Sequence, residues 1–508
     1  MIRLSLFPVL LLTLHGALFS QNKLDVFLRD SLDRYTERAL TRWQIPGAAI
    51  CVVKDGKVLV AQGYGVRELG RPERVDANTL FEIGSNTKAF TGTILALLEH
   101  DRACSLNDKV QRWLPWFSMR DEWVARDLSL TDILCHRIGM ETFQGDFTYW
   151  TSDLSSRQVI EKFGLMTPQY GFRSRWGYTN AGFVIAGACT AAISGESWGA
   201  TVEKRIFKPL DMRRTVAYAA DFAKADNIAQ PHTVIEGRCQ RIPIAMIDNL
   251  APAGSIGSSV NDLSHWAIAQ LDDGRYDGRE VLPANVIART RQPRSIIGRS
   301  QQPFNKGHYQ LYGLGWMLED YEGREIVSHT GGVNGYVTSV TLVPEEKLGI
   351  IVLTNTDENA FFESVKWEIL DAALNLPYRD YDRLFHESVA QQEAETNREI
   401  AEWRDTVAMK MPPAFELSRY AGRYDNPVYG WIDISVSGAD QLLMRFEHHP
   451  ALSARLECLG GNFFLCTYSD PIMGVKPIHF RTDDKQVTGF TLRVNDFVEF
   501  TPYEFVKK

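Results

Sequence analysis

The sequence predicts a mixed α/β (α+β) fold: an antiparallel sheet flanked by helices, with a helical region inserted into it, and a small all-β domain at the C-terminal end. Three observations predict it. Two β-hairpin patterns stand far apart in the chain, the stretch between them is mostly helical in pattern, and the tail is a series of short β-rich runs behind a charged helix.

In chain order, a short helical stretch runs from Val26 to Trp43. The segment Gly47 to Gly63 is two β-rich runs joined by Asp55-Gly56, a hairpin signature. Helical patterns follow at Thr87 to His100, Ser155 to Phe163, Ala181 to Ile193 and Val260 to Leu271. The second hairpin pairs Gly335–Val343 with Leu348–Asn355 across Pro344-Glu345-Glu346-Lys347, and the two hairpins can share one sheet. From Arg383 to Lys410 the chain is charged and free of Gly and Pro, as in a solvated spacer helix, and Met411-Pro412-Pro413 ends it. Beyond Phe415 come β-rich runs at Gly430 to Ser437, Gln441 to Glu447, Asn462 to Tyr468 and Val487 to Val494, with no clear helix.

At 508 residues, 44% hydrophobic and 23% charged, the chain is too long for one core, and more than one domain is expected. A net charge of −8 and a pI near 5.8 supply no basic field for phosphates, which argues against nucleic acid or an anionic membrane as partner. A small molecule or peptide fits, and a homo-oligomer is compatible. Met1-Ile2-Arg3, the apolar run Leu4 to Leu14, and Gly16, Ala17 and Ser20 before Gln21 read as a signal peptide. The run is well short of the ~20 residues that span a bilayer. The mature protein is therefore expected to be secreted or periplasmic, without a membrane span. Seven cysteines form no Cys-x-x-Cys and no zinc spacing, so neither metal nor cofactor is expected. Cys458 and Cys466 alone are near enough in sequence for a local disulfide.

Three segments carry chemistry. Ser85 and Lys88, in Phe81-Glu-Ile-Gly-Ser-Asn-Thr-Lys88, open a helix three residues apart and share its face. A lysine desolvated beside a serine can act as its base, and the helix start offers N–H groups for an oxyanion. The alternative is a capping serine with an exposed lysine. Trp176-Gly-Tyr178-Thr-Asn180 sets a phenol and an amide at the start of another helix, where Asn180 can also cap. Ser328-His329-Thr-Gly-Gly332 precedes the second strand pair, where glycines let substrate lie against backbone, or simply form a turn.

In this order, Ser-x-x-Lys, Tyr-x-Asn and His-Thr-Gly around a split sheet resemble the penicillin-binding-protein and class C β-lactamase-like serine hydrolases, with D-aminopeptidases, carboxypeptidases and family VIII esterases as relatives. Leu106-Asn-Asp-Lys-Val110 and Leu134-Cys-His-Arg-Ile-Gly139 add to the resemblance, which covers residues 25 to 375. The tail resembles the lipocalin-like domain of some members. The resemblance implies a DD-peptidase/β-lactamase-like fold; with the residue patterns above it gives a signal peptide at 1–20, a serine hydrolase domain at 21–380, a helical linker at 381–411 and an all-β lipocalin-like domain at 412–508. It implies Ser85 as acyl-accepting nucleophile, Lys88 as its proton partner, and Tyr178 as a second base that later protonates the leaving group. Asn180 would bind the substrate amide, Ser85 and Gly332 would supply the oxyanion N–H groups, and His329 would sit beside Tyr178.

A serine hydrolase acting on peptide or amide bonds, including D-amino-acid peptides, is the expected function. Carboxylesterase or weak β-lactamase action on the same site, or a silent penicillin-binding sensor, are the alternatives. His329 stands where many relatives have lysine, so a carboxylate-binding cation is expected only at low pH. The loop from Phe143 to Asp153, with Asp146, is expected either to meet a substrate amine or to pack. The tail, which holds none of the motifs, is expected to restrict access or mediate assembly while residues 21–411 suffice for hydrolysis.

Overall fold

The computed structural model describes residues 23–357, 359–483 and 486–508; the expected signal segment lies outside them. Eight strands form the main sheet: β1 (Gly47–Lys54), β2 (Lys57–Gly65), β3 (Ser295–Arg299), β4 (Tyr309–Tyr312), β5 (Met317–Tyr321), β6 (Arg324–Val333), β7 (Tyr336–Val343) and β8 (Leu348–Thr354). Their spatial order is β2-β1-β8-β7-β6-β5-β4-β3. The two hairpins predicted from sequence meet along β1 and β8, antiparallel, with Ile50 opposite Val352 and Val52 opposite Ile350. The chain between them is the inserted helical region.

β1 reads as a continuous apolar run because both its faces are covered. Ala48, Ile50 and Val52 pack in one cluster, and Ala49, Cys51 and Val53 in the other. The first layer contains α1 (Lys23–Asp30) and α2 (Leu32–Arg42). The second contains α3 (Thr87–His100), α4 (Asn180–Ser194) and α5 (Val260–Leu271). Every residue of α3 from Thr87 to Leu98 is buried, as befits a helix enclosed on all sides. α6 (Phe361–Ala373) returns to the first layer through Phe361, Val365 and Trp367.

α7 (Tyr381–Ala408) is 28 residues long, about 42 Å at the α-helical rise. Its start is anchored where Asp382 accepts from Arg42 and, at 2.7 Å, from the Trp43 indole. Beyond it, β9 (Gly422–Asn426), β10 (Gly430–Ser437), β11 (Gln441–Phe446), β12 (Ser453–Gly460), β13 (Phe463–Tyr468), β14 (Val475–Thr482), β15 (Val487–Leu492) and β16 (Tyr503–Lys507) close into a barrel. Its interior is filled by side chains that include Tyr424, Met444, Phe464, Phe480 and Phe490. Four of these strands escape a reading of sequence pattern, as does the short helix Leu417–Tyr420.

Two expectations are corrected. Cys458 and Cys466 are both free thiols: the β12–β13 register sets Cys458 opposite Phe464 and Cys466 opposite Leu456. Ser328 to Val333 is no turn before a strand pair but the second half of β6, paired residue by residue with β7. Among the described residues, no helix is long and apolar enough to cross a membrane.

Candidate active site

Ser85 lies on a short 3-10 turn, Gly84–Asn86, that runs directly into α3. That turn sits unusually close to β6. A Cβ on Gly331 would fall 1.9 Å from the Ile83 carbonyl oxygen, and one on Gly84, at φ +53°, would fall 2.8 Å from the Gly332 nitrogen. Glycine on both sides is what lets the Ser85 turn and the Gly332 backbone converge. The Asn86 amide donates to Ile83 O and Thr338 Oγ1, and the Thr338 hydroxyl donates to Ile83 O at 2.9 Å, which ties the turn to β7.

One turn along α3, Lys88 is fully buried. Its Nζ lies 3.0 Å from Ser85 Oγ, 2.7 Å from Asn180 Oδ1 and 2.8 Å from the Ala253 carbonyl oxygen. The ring of Tyr178 lies 4.7 Å away and that of Phe183 5.3 Å. Burial pushes the ammonium down from 10.5 to about 7, against a smaller upward pull from Asp146. The exposed-lysine alternative is therefore excluded. Tyr178 moves the other way: burial raises it above the ordinary phenol value, and the Ser85 hydroxyl draws it only part of the way back.

Asn180 is the first residue of α4 rather than its cap, which is Thr179. Both ends of its amide are engaged inside the protein: Oδ1 faces Lys88, and Nδ2 donates to Asp146 Oδ2 at 2.5 Å. These two bonds hold Asn180 against Lys88, and Asn180 also lines the cleft over Ser85, where the expected bond to a substrate amide would form. Asp146 is correspondingly buried and behind the site, not exposed to a substrate amine. Burial, then the nearby Glu499, hold its carboxyl well above the usual range.

His329 does stand beside Tyr178, with ring centroids 6.2 Å apart. It is not a pH-dependent cation. Its Nδ1 lies 2.6 Å from Thr330 O, which can only accept, so Nδ1 carries the proton and Nε2 accepts from the Tyr312 hydroxyl at 2.9 Å. Burial, then the charge of Lys88, push the ring down to about 3.

Tyr312 falls in none of the sequence motifs, and His136 lies within the Leu134–Gly139 segment, which by itself gives no hint of its place in the site. The His136 ring lies tilted against that of Tyr178, centroids 4.4 Å apart, and its Nδ1 accepts the Thr179 N–H at 3.0 Å, fixing the segment that presents Tyr178 and Asn180. The cleft above these groups is lined by Ser85, Trp150, Asn180, Ile247, Leu250, Ala253, Gly254 and Gly332, and its free volume is about 10 Å³, room for about one water. Among the described residues, no cluster of His, Cys, Asp and Glu is arranged to hold a metal ion.

A buried, half-neutral amine against a serine hydroxyl, facing the backbone amides of two closely packed segments, is equipment for acyl transfer. A family model described as Beta-lactamase matches residues 32–374, and one described as a domain of unknown function (DUF3471) matches residues 408–507. Unguisins hydrolase of Aspergillus violaceofuscus (strain CBS 115571) is 26% identical over 479 residues, which cover 87% of this chain and 83% of that protein. The octameric penicillin-binding protein homologue from Pyrococcus abyssi is similar in fold with a TM-score of 0.58 at 19% identity, over 94% of this chain and 99% of that one. A D-stereospecific amidohydrolase from Streptomyces sp. has a TM-score of 0.54 at 21% identity, over 67% of this chain and 98% of that one.

Proposed function

The chain belongs to the Beta-lactamase family and is a serine hydrolase, and from that premise we propose that it is secreted, forms an acyl-enzyme on Ser85 and cleaves peptide or amide bonds, D-amino-acid peptides among them. The observation that carries this reading is the 3.0 Å contact between Ser85 Oγ and the buried Nζ of Lys88. The similarity to an unguisins hydrolase and the fold shared with a D-stereospecific amidohydrolase are in keeping with it.

Neutral Lys88 takes the Ser85 proton as Oγ attacks the carbonyl carbon. The backbone N–H groups of Ser85 and Gly332 hold the oxygen that becomes anionic. Tyr178, kept a phenol by burial, serves better as the acid that protonates the departing nitrogen than as a second base. The Lys88 ammonium then returns the proton to the phenolate; a water deprotonated by Lys88 attacks the ester, and the Lys88 ammonium passes that proton to Ser85 Oγ as its bond to the acyl carbon breaks. Since Lys88 must be neutral, kcat/KM rises as pH rises through about 7.

The neutrality of His329 weighs against β-lactamase or carboxypeptidase action, which would be served by a cation for the substrate carboxylate. Ester hydrolysis uses the same atoms. A silent sensor is disfavoured because it has no use for a desolvated lysine beside its serine. Mass spectrometry after fluorophosphonate treatment tests the nucleophile, with Ser85→Ala as the unlabelled control; an adduct elsewhere rejects the mechanism. A panel of D- and L-aminoacyl amides, short esters and a chromogenic cephalosporin separates the substrate classes. N-terminal sequencing of protein recovered outside the cytoplasm tests secretion, and a chain beginning at Met1 refutes it.

A further inference from the structure

We propose that Glu499, carried by the C-terminal barrel, is a positioning residue of the hydrolytic site: it clamps the Gly145–Tyr149 strap, whose Asp146 holds Asn180 against Lys88. The proposal rests on the roles given above to Ser85 and Lys88.

Glu499 lies in the connection between β15 and β16 and is 1% exposed. Its Oε1 accepts the Gly145 N–H at 2.7 Å and its Oε2 accepts the Phe147 N–H at 3.0 Å. The Tyr429 hydroxyl, also from the barrel, donates to Oε1 at 3.1 Å. The residue between those two amides is Asp146. Its carboxyl points the opposite way, to the Asn180 amide at 2.5 Å, and Asn180 Oδ1 meets Lys88 Nζ at 2.7 Å. A single hydrogen bond would leave the strap free to pivot, but two oxygens on alternate amides fix both its place and its rotation.

The strap's other side chains are seated as firmly. Phe147 stacks on His449 at 4.9 Å and on Tyr503 at 5.6 Å, with the edge of Phe446 at 5.7 Å. Gly145, at φ +94°, makes the turn, and a Cβ there would come within 2.1 Å of the Met166 methyl. Adhesion of the two units is well served by these aromatic contacts. The buried carboxyl is costly to desolvate, and it is retained here where it satisfies the free Gly145 and Phe147 N–H groups at the start of the short helix Asp146–Tyr149. What the carboxyl adds is geometry at the residue that orients Asn180.

The groups facing Glu499 are Asp146 and Tyr149 from the strap side and Tyr429 and Tyr503 from the barrel. Those facing Lys88 are Ser85, Asn180, Asp146, Tyr178, His136 and His329. Release of the strap would admit water to Lys88, whose low value comes from desolvation, so its titration would move upward.

The test uses the full chain with Glu499→Ala and Glu499→Gln, and Arg455→Ala on the exposed barrel surface as control. kcat and KM for an uncharged chromogenic ester are measured across pH, with the rate of fluorophosphonate labelling. A displacement of ~1 Å at a reacting group costs up to about a hundredfold. Glu499→Ala is therefore expected to lower kcat about tenfold to a hundredfold with KM little changed, and to shift the low-pH limb of kcat/KM above 7. Glu499→Gln, which keeps the size and one acceptor, falls between. If Glu499→Ala does not fold, Glu499→Gln alone carries the test. A folded variant with the wild-type kcat and the wild-type limb would overturn the proposal and leave Glu499 a docking residue. Absence of Ser85 labelling in the wild type would instead overturn the underlying reading.

Discussion

The Tyr312 hydroxyl and His329 Nε2 are 2.9 Å apart, deep in the wall of the site. With Nδ1 committed to Thr330 O, that contact leaves the ring neutral and without a polar atom to offer a substrate. A titration near 3 puts the cationic form below any working pH. The ratio of kcat/KM for a carboxylate-bearing substrate to that for its methyl ester is therefore expected to be flat from about pH 5.5 to 8.5, around the ordinary histidine value. A ratio that climbs as pH falls would show that His329 does present a charge. Tyr312→Phe strands Nε2 without a donor and is expected to cost about 1 kcal/mol of stability, read in a denaturant titration.

Replacing Tyr178 with Phe should expose its role through the leaving group. An amide nitrogen needs a proton to depart and a nitrophenolate does not, so the loss is expected to be about a hundredfold or more on amides and much smaller on a nitrophenyl ester. Equal losses on both substrates would mean that Tyr178 serves the attack on the carbonyl and not the departure.

The close approach of β6 to the Ser85 turn predicts that Gly331→Ala is far worse than its size suggests. The added methyl would lie 1.9 Å from Ile83 O and 2.7 Å from Thr338 Oγ1, so strand and turn must separate and the Ser85 and Gly332 amides with them. Loss of one oxyanion donor costs roughly a hundredfold to a thousandfold in kcat. Kinetics of the folded variant check this, with Gly323→Ala a poor control because its φ of +76° is strained in itself and Gly298→Ala, which meets nothing within 4 Å, the better one.

Glu499 also links stability to pH. Burial holds it near 7 in the folded chain, against 4.5 ordinarily, so the folded state binds the proton more tightly between those values. The stabilisation is complete below about 4.5 and is lost as pH rises through 7, amounting to at most about 3 kcal/mol. Other buried acids titrate in the same window, among them Asp357 near 6, so the informative quantity is the difference between proteins. The fall in melting temperature from pH 5 to 7.5 is expected to be shallower in Glu499→Gln; parallel slopes would show that Glu499 is not the titrating group.

The hairpins, the helix at Thr87 and the pairing of Ser85 with Lys88 were legible because each is written in local spacing. So was the placing of Tyr178 and Asn180 at the head of α4. What sequence pattern could not reveal is who answers whom across the fold. Asn180 meets Lys88 and Asp146, His329 is sealed by Tyr312, and the strap at Asp146 is gripped by Glu499. These partners come together only through tertiary packing, which leaves no periodic mark. The tail's contacts with the catalytic domain are likewise invisible to sequence pattern. Every residue lining the cleft precedes 411, but Glu499 bonds the strap behind the site and Phe497 comes close to Gly332, so hydrolysis of a small ester by residues 21–411 is the measurement that shows whether the tail's contacts matter.

The cleft over Ser85, with space for one water, also bears on how the rate is set. Ser85 keeps part of its surface open to solvent, while Trp150 in the wall beside it is held by its indole bond to Asn334 at 2.9 Å and by edge-on contact with Phe497. An acyl group larger than that space has to displace wall side chains, and the cost of that displacement is subtracted from its binding before its fit to the catalytic groups counts.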